Sequence, residues 1–408
     1  DLINKVQKDG NRYYTFKRNA EGVINSIHLV VTGRNFDTKL VLQAGNDQKE
    51  WFTIGDQFRI LSIENDQTEY SYTDLHFDDS DYRYYRLSVP GQDIGITSAG
   101  MFDETSIGMA RYSRDLYSRL EAETGHSTGF RPVGHIMVAS SQRRLESMRR
   151  SGLWSHGFGV PEHEISPREV AEMWPLARVD DILAGFYVPD EGRADPVGCA
   201  VSMAKGARQL GAKVIEGVSV TGVEQRNGHV TAVLTDQGRI ETEIVVNAAG
   251  MWAGKLGAMS GVHVPLQAAE HYYLITEQIE GMDGSWPVIE DPGNYGYYRE
   301  EVGGLMIGLF EPVCAPWKVG GVPEDFSFGE IEPDWERMMP YVEKAMSRVP
   351  RSLDTGIKKL FCGPESFTPD VRYYLGEAPE VKNVYVATGF NSIGIQSSGG
   401  AGLVLAKW

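Results

Sequence analysis

At 408 residues the chain has room for two or three domains, and 41 % apolar with 23 % charged residues describes an ordinary globular composition. A net charge of −17 argues against nucleic acid and anionic membrane as partners, and no apolar run approaches transmembrane length. Cys199, Cys314 and Cys362 have no metal-like spacing and cannot form a disulfide framework, the nine histidines show no ligand spacing either, and no secretory signal opens the chain; a cytoplasmic location is the expectation.

Residues 1 to 90 read as short strands separated by polar turns. Ile27–Val31, Leu40–Leu42, Phe58–Ile63, Leu75–Phe77 and Tyr82–Val89 are the candidates, with turns at Thr32-Gly33-Arg34-Asn35 and Ala44-Gly45-Asn46-Asp47. The pattern predicts an all-β antiparallel sandwich whose core includes Leu29, Val31, Leu42, Tyr85 and Leu87. Trp51 beside a turn and the closing Tyr82-Arg83-Tyr84-Tyr85-Arg86-Leu87 loosely resemble galactose-binding-like (discoidin-type) modules, which often bind sugars through loops.

Val89-Pro90-Gly91 stops the last strand and is read as a domain seam. Beyond it Met109, Tyr112, Leu116 and Leu120 recur at helical spacing after an acidic start. A strand is expected at 134–138, a short helix after Ser166-Pro167, a strand at 185–189, and a helix capped by Asp195 with Val197, Ala200, Val201, Ala204 and Ala207 on one side. Lys213–Ile215 and Val218–Val223 read as strands, then a meander over 230–241 leads into Ile244–Asn247. Strands recur at 272–275 and 305–308, and a helix runs from about Asp334 to Met346.

Two stretches end a strand in small residues: Ile244-Val245-Val246-Asn247-Ala248-Ala249-Gly250-Met251-Trp252-Ala253, and Val384-Tyr385-Val386-Ala387-Thr388-Gly389-Phe390-Asn391-Ser392-Ile393-Gly394. Junctions of that kind let a flat ligand or its phosphates approach the backbone. With Glu270-His271-Tyr272-Tyr273 and Gly363-Pro364-Glu365-Ser366-Phe367-Thr368-Pro369-Asp370 they make residues from about 95 to the end resemble the flavin domain of dimethylglycine and sarcosine dehydrogenases, in the D-amino-acid-oxidase superfamily.

The resemblance implies an α/β (α+β) FAD-oxidoreductase-like fold over residues 91–408, with a mixed, largely antiparallel substrate sheet. It implies oxidative demethylation of an N-methylated glycine by hydride transfer to FAD, releasing formaldehyde or its one-carbon equivalent, with oxygen or an electron-transfer flavoprotein as acceptor. His271, Tyr297 and Arg299 take the substrate side. Strand alternation lets only one of Tyr297 and Tyr298 face the ring, and Tyr297 is favoured. The cofactor side comprises Thr97, Ser98, Val220, Ala248, Gly250, Trp252, Gly363, Gly389, Ser392, Ile393 and Gly394. Thr97 stands where many relatives carry a flavin-linking His, so bound FAD is expected to be non-covalent.

One feature departs from the family. A strand, G-x-G-x-x-G and helix, which would seat the pyrophosphate, is missing, and the β-sandwich stands where that unit belongs. The Rossmann part is therefore incomplete, with a raw sheet edge and weakened FAD binding as the expected consequences. The alternative reading is a non-catalytic, fused or chimeric chain: a binding or packing sandwich joined to a flavin fold that no longer holds FAD.

Overall fold

The computed structural model describes residues 2–18, 24–65, 68–91, 93–102 and 104–408. The chain divides into two compact units, Asp1–Gly108 and Met109–Trp408.

The first unit carries β1 (Leu2–Lys8), β2 (Asn11–Lys17), β3 (Ile24–Val31), β4 (Phe36–Gly45), β5 (Phe52–Asn65), β6 (Thr68–Tyr72), β7 (Asp74–Ser80), β8 (Tyr84–Pro90) and β9 (Ile96–Phe102). One sheet runs β1-β2-β8-β4-β5-β6 and a second β7-β3-β9, all pairs antiparallel. Alternation sends Leu40, Leu42, Tyr85 and Leu87 of the first sheet and Ile27, Leu29, Leu75 and Ile96 of the second into one shared core. Val31 packs only at its margin. The expected seam at Pro90-Gly91 is displaced: the alternating apolar pair Ile94 and Ile96 is buried in this core, and it carries the chain on as β9 beside β3.

Asp93 closes the unit. It accepts hydrogen bonds from Lys5 Nζ and Tyr14 Oη, both at 2.7 Å, and from the Gly95 amide at 2.9 Å. The Lys5 bond, then the Tyr14 and Gly95 bonds, hold its carboxyl well below the usual carboxylate range. A depressed folded-state value adds stability above the unfolded value of about 3.9 and loses it as pH falls through the folded value. Asp93→Asn should therefore lower the melting temperature of this unit at neutral pH, by a difference that shrinks once the pH drops below about 4. A difference constant from neutral pH down to about pH 2 would contradict this assignment.

The second unit contains α1 (Glu104–Thr124, whose first turn belongs to the preceding unit), β10 (His135–Ala139), α2 (Gln142–Gly157), β11 (His163–Ile165), α3 (Pro167–Met173), β12 (Ala184–Val188), α4 (Pro196–Gln209), β13 (Val220–Arg226), β14 (His229–Thr235), β15 (Gly238–Glu241) and β16 (Val245–Asn247). There follow α5 (Ala253–Met259), β17 (Gln267–Thr276), β18 (Val288–Asp291), β19 (Gly296–Glu301), β20 (Gly304–Leu309), α6 (Trp335–Met346), β21 (Ile357–Phe367), β22 (Tyr374–Glu377), β23 (Val384–Thr388) and α7 (Gly394–Lys407).

An eight-stranded mixed sheet has the order β11-β12-β10-β18-β19-β20-β17-β21. Its closed face puts Tyr272, Leu274, Ile289, Tyr298, Leu305, Ile307, Leu309, Leu360 and Cys362 into a core with Met338, Val342 and Ala345 of α6. That helix starts at Asp334, whose carboxylate accepts the Arg337 amide at 3.0 Å. A three-stranded sheet β13-β14-β15 forms the meander. In a second three-stranded sheet, β16 and β23 are parallel and β22 is antiparallel to β23.

One expectation fails in this unit. Lys213–Ile215 forms no strand. On α4 the buried residues are Gly198, Cys199 and Ser202, while Val197 and Val201 are 69 % and 41 % exposed. Among the described residues β16 pairs only with β23, so the side of this sheet on which a further strand would lie offers no partner for 213–215. Ile244, Val246, Val214 and Ile215 are left exposed with it.

Candidate functional site

The open face of the large sheet carries the substrate-side residues. Cα register places His271 opposite Gly363, and Gly308 of β20 between Tyr297 on one side and Tyr273 on the other. Period-two alternation then puts His271, Tyr273, Tyr297, Arg299, Met306, Phe361 and Glu365 on one face. Tyr298 goes the other way: it is fully buried and its hydroxyl donates to Ala345 O at 2.9 Å. Tyr297 is therefore the tyrosine that shares a face with His271.

Glycines shape this face. A Cβ on Gly308 would fall 1.8 Å from Tyr297 Cε1, so the ring lies flat across a backbone that only glycine leaves clear. Phe310 stands between the two predicted side chains, with ring centroids 5.1 Å from His271 and 5.9 Å from Tyr297. Tyr273 stacks on Phe361 at 4.5 Å. Burial pushes the Tyr297 phenol up, with the nearby Arg299 pulling the other way, so it stays protonated as a hydrogen-bond donor. Arg299 is held by Glu301 at 3.0 Å and rests its Nε on the Met306 sulfur at 3.0 Å.

The cofactor-side residues gather at the carboxyl ends of β16 and β23. Gly250 has φ +55° and opens the short 3₁₀ turn Gly250–Trp252; a Cβ there would meet nothing within 4 Å. Thr388 Oγ1 donates to Gly250 O at 2.9 Å and ties the two strand ends together. Gly389 has φ +70°, and a Cβ would strike Thr368 Cγ2 at 2.5 Å. Asn391 and Ser392 also take positive φ, 48° and 71°, which non-glycine residues adopt rarely. The Asn391 side chain fixes that turn: its oxygen accepts the Thr368 amide at 2.9 Å and its amide donates to Gly389 O at 2.5 Å. The chain then enters α7 at Gly394 with Ile393 as N-cap and no side-chain cap, so the first amides of a 14-residue helix stay free.

A continuous line joins the two sides. Ser392 Oγ donates to Glu365 Oε2 at 2.7 Å, and that carboxylate lies 3.9 Å from His271 Nδ1. Gly250, Gly389, Ser392, Gly363, His271 and Tyr297 thus form one neighbourhood. A cavity of about 470 Å³ adjoins it, lined by Trp252, Lys255, Gln267 and Gly320 among others. Trp252 is 36 % exposed at its wall and is not a core aromatic. Val220 stands elsewhere, at the head of β13 in the meander sheet.

Thr97 and Ser98 fall in the first unit. Both lie on β9 of the first unit, where Ser98 is in register with Val30 and the Thr97 hydroxyl donates to Val30 O at 3.2 Å. Burial of Ile94 and Ile96 makes this segment part of the first unit's core. The sequence reading also gave no role to Glu365 or Phe310. Glu365 sat inside a quoted motif, and Phe310 lies two residues beyond Gly308, the spacing that keeps a strand residue on one face.

A family model described as FAD dependent oxidoreductase (DAO) matches residues 79–408. The chain belongs to this family. It is 39 % identical over 311 residues to mouse sarcosine dehydrogenase, 33 % over 301 residues to rat dimethylglycine dehydrogenase, and 36 % over 317 residues to the mouse pyruvate dehydrogenase phosphatase regulatory subunit, all mitochondrial by name. These alignments take in 75 %, 72 % and 77 % of the chain, which spans about a third of each relative: 34 %, 35 % and 36 %. The crystal structure of L-proline dehydrogenase from P. horikoshii superposes with a TM-score of 0.65 at 25 % identity, covering 75 % of this chain and 80 % of that one.

The family implies FAD, and the residues present fit one end of it. Two strand ends with glycines at positive φ, beside the free amides of α7, make a cradle for a flat ring. The pyrophosphate end has no such fit. No glycine fingerprint follows a strand, and no described strand pairs with the outer edge of β16.

Proposed function

We propose that the chain is the flavin-side part of an amine oxidoreductase acting on an N-methylglycine, sarcosine or dimethylglycine. The observation that carries this reading is the line Gly389–Ser392–Glu365–His271–Phe310–Tyr297, which joins the ring cradle to a face of aromatic and charged side chains. Bound flavin supplies the acceptor for a hydride from the N-methyl carbon. The protein's own groups do the rest. Arg299 holds the substrate carboxylate, the protonated Tyr297 donates a hydrogen bond, and His271 accepts the ammonium proton so that the neutral amine can react. Ala248, Gly250, Trp252, Gly363, Gly389, Ser392, Ile393 and Gly394 border the ring.

The test is anaerobic addition of sarcosine or dimethylglycine to chain reconstituted with excess FAD. The visible flavin band should bleach; an unchanged spectrum with both amines overturns the reading. In the same assay His271→Ala and Tyr297→Phe should each lower kcat/KM by about 10²-fold or more, the usual worth of a proton-transfer or orienting group. Unchanged kinetics in both would make them plain sheet residues.

A second reading keeps support: the missing fingerprint and the raw β16 edge fit a chain that no longer holds FAD, and one relative is by name a regulatory subunit. The spectrum of the FAD-reconstituted chain separates the two.

A further inference from the structure

The charges on the open face are unevenly satisfied. Arg299 already has Glu301 as its partner. Glu365 receives the Ser392 hydroxyl, and among the described residues no lysine or arginine pairs with it; the His271 Nδ1 lies 3.9 Å away. Its side chain is 27 % exposed, so it is partly shielded from water and still reachable. His271 stands beside it, the Phe310 ring lies 5.1 Å beyond His271 and the Tyr297 ring 5.9 Å beyond Phe310, and the Glu365 charge is felt at the Tyr297 phenol. Aromatic faces near a carboxylate that has no lysine or arginine partner suit a bulky, weakly hydrated cation better than a compact, strongly hydrated one.

We infer that Glu365, with Phe310 and Tyr297, forms a seat for a methylated ammonium and sets the preference for N-methylated over unmethylated amino acids. This deepens the N-methylglycine reading and rests on it for the identity of the physiological ligand. The two rings meet the methyl groups and the diffuse positive charge. Glu365 supplies the counter-charge without a bond that requires an N–H, so secondary, tertiary and quaternary amines are all admitted. Ser392 fixes the carboxylate from the cofactor side and so couples the seat to the turn that borders the ring. His271, adjacent to both, is placed to take the proton once the cation is seated.

The probes are trimethylglycine, a zwitterion whose quaternary ammonium has no transferable N–H, and 3,3-dimethylbutyrate, in which an uncharged tert-butyl group replaces that ammonium, titrated calorimetrically into the purified chain. The wild-type chain should bind trimethylglycine at least about tenfold more tightly than the isostere, and also more tightly than glycine. Glu365→Gln and Phe310→Leu should each cut that ratio several-fold while the far-ultraviolet circular dichroism and melting temperature stay those of the wild type. Equal binding of cation and isostere, no measurable binding of trimethylglycine, or a ratio unmoved in both variants would overturn the inference. Flavin bleaching by dimethylglycine without a cation preference would remove the seat alone; a cation preference without bleaching would remove the oxidase reading alone.

Discussion

Arg348→Leu should unfold most of the second unit's stability margin. Arg348 is 1 % exposed and Asp291 0 %. The guanidinium donates to Asp291 Oδ2 at 2.7 Å, to Asp181 Oδ1 at 2.6 Å and to the Arg178 carbonyl. Burial disfavours charge on both Arg348 and Asp181, yet the bonds between them win: Arg348 is raised and Asp181 is lowered from their ordinary values. Removing the arginine leaves the Asp291 carboxylate in the interior with only the Asn294 side chain and the Gly293 and Asn294 amides. Breaking one side of a buried pair costs about 3–5 kcal/mol, a large share of a typical total of about 5–15 kcal/mol. Urea denaturation should show that loss, and the double variant Arg348→Met with Asp291→Asn should recover part of it. A loss below about 1 kcal/mol would mean that the cluster is wetter and weaker than its geometry implies. The effect reaches the candidate site, because the Asp291–Asn294 turn leads directly into β19, which carries Tyr297 and Arg299.

What could be read from the sequence was whatever local pattern fixes. Period-two alternation put Tyr297 and Tyr298 on opposite faces, and the caps Ser166, Asp195 and Asp334 marked the starts of α3, α4 and α6. Strands at 135–139, 184–188, 229–235 and 304–309 lie where apolar runs and turns predicted them. What escaped depends on partners far away in sequence. β1 and β2 were missed because Leu2–Lys17 is mostly polar and is made a sheet by pairing with β8. The helix α2 was missed because Gln142–Gly157 carries few apolar residues, with Leu145 and Met148 among those buried. The same dependence decided β9: burial of Ile94 and Ile96 settled where the strand that carries Thr97 and Ser98 pairs. Glu365 could not be singled out from its motif, since its distance to His271 arises only when β21 lies beside β17.

The chain as it stands should bind FAD no more tightly than riboflavin or FMN, within about tenfold. Among the described residues the features that suit the cofactor suit its ring: Gly250 and Gly389 at the strand ends, the Asn391–Ser392 turn, and the start of α7, which no side chain caps. Adenosine and pyrophosphate need a glycine turn on a helix N-terminus and an acidic residue for the ribose. Among the described residues no strand pairs with the outer edge of β16 to carry such a turn: Val246 and Ile244 on and beside it are 48 % and 56 % exposed, and 213–215 is not a strand. Two or more charge-assisted hydrogen bonds are thereby missing at about 1.5–3 kcal/mol each, and every 1.4 kcal/mol is about tenfold in affinity. A loss of at least about a hundredfold relative to a complete dinucleotide site follows. The net charge of −17 adds no attraction for a dianionic pyrophosphate. Fluorescence titration with riboflavin, FMN and FAD, read together with thermal melting, measures the three affinities side by side. Similar, weak affinities with little gain in melting temperature are the expected result. FAD saturation below about 1 μM, with riboflavin a hundredfold weaker, would mean that the chain holds the pyrophosphate through groups outside the ring cradle. The oxidoreductase reading would then stand without need of added cofactor.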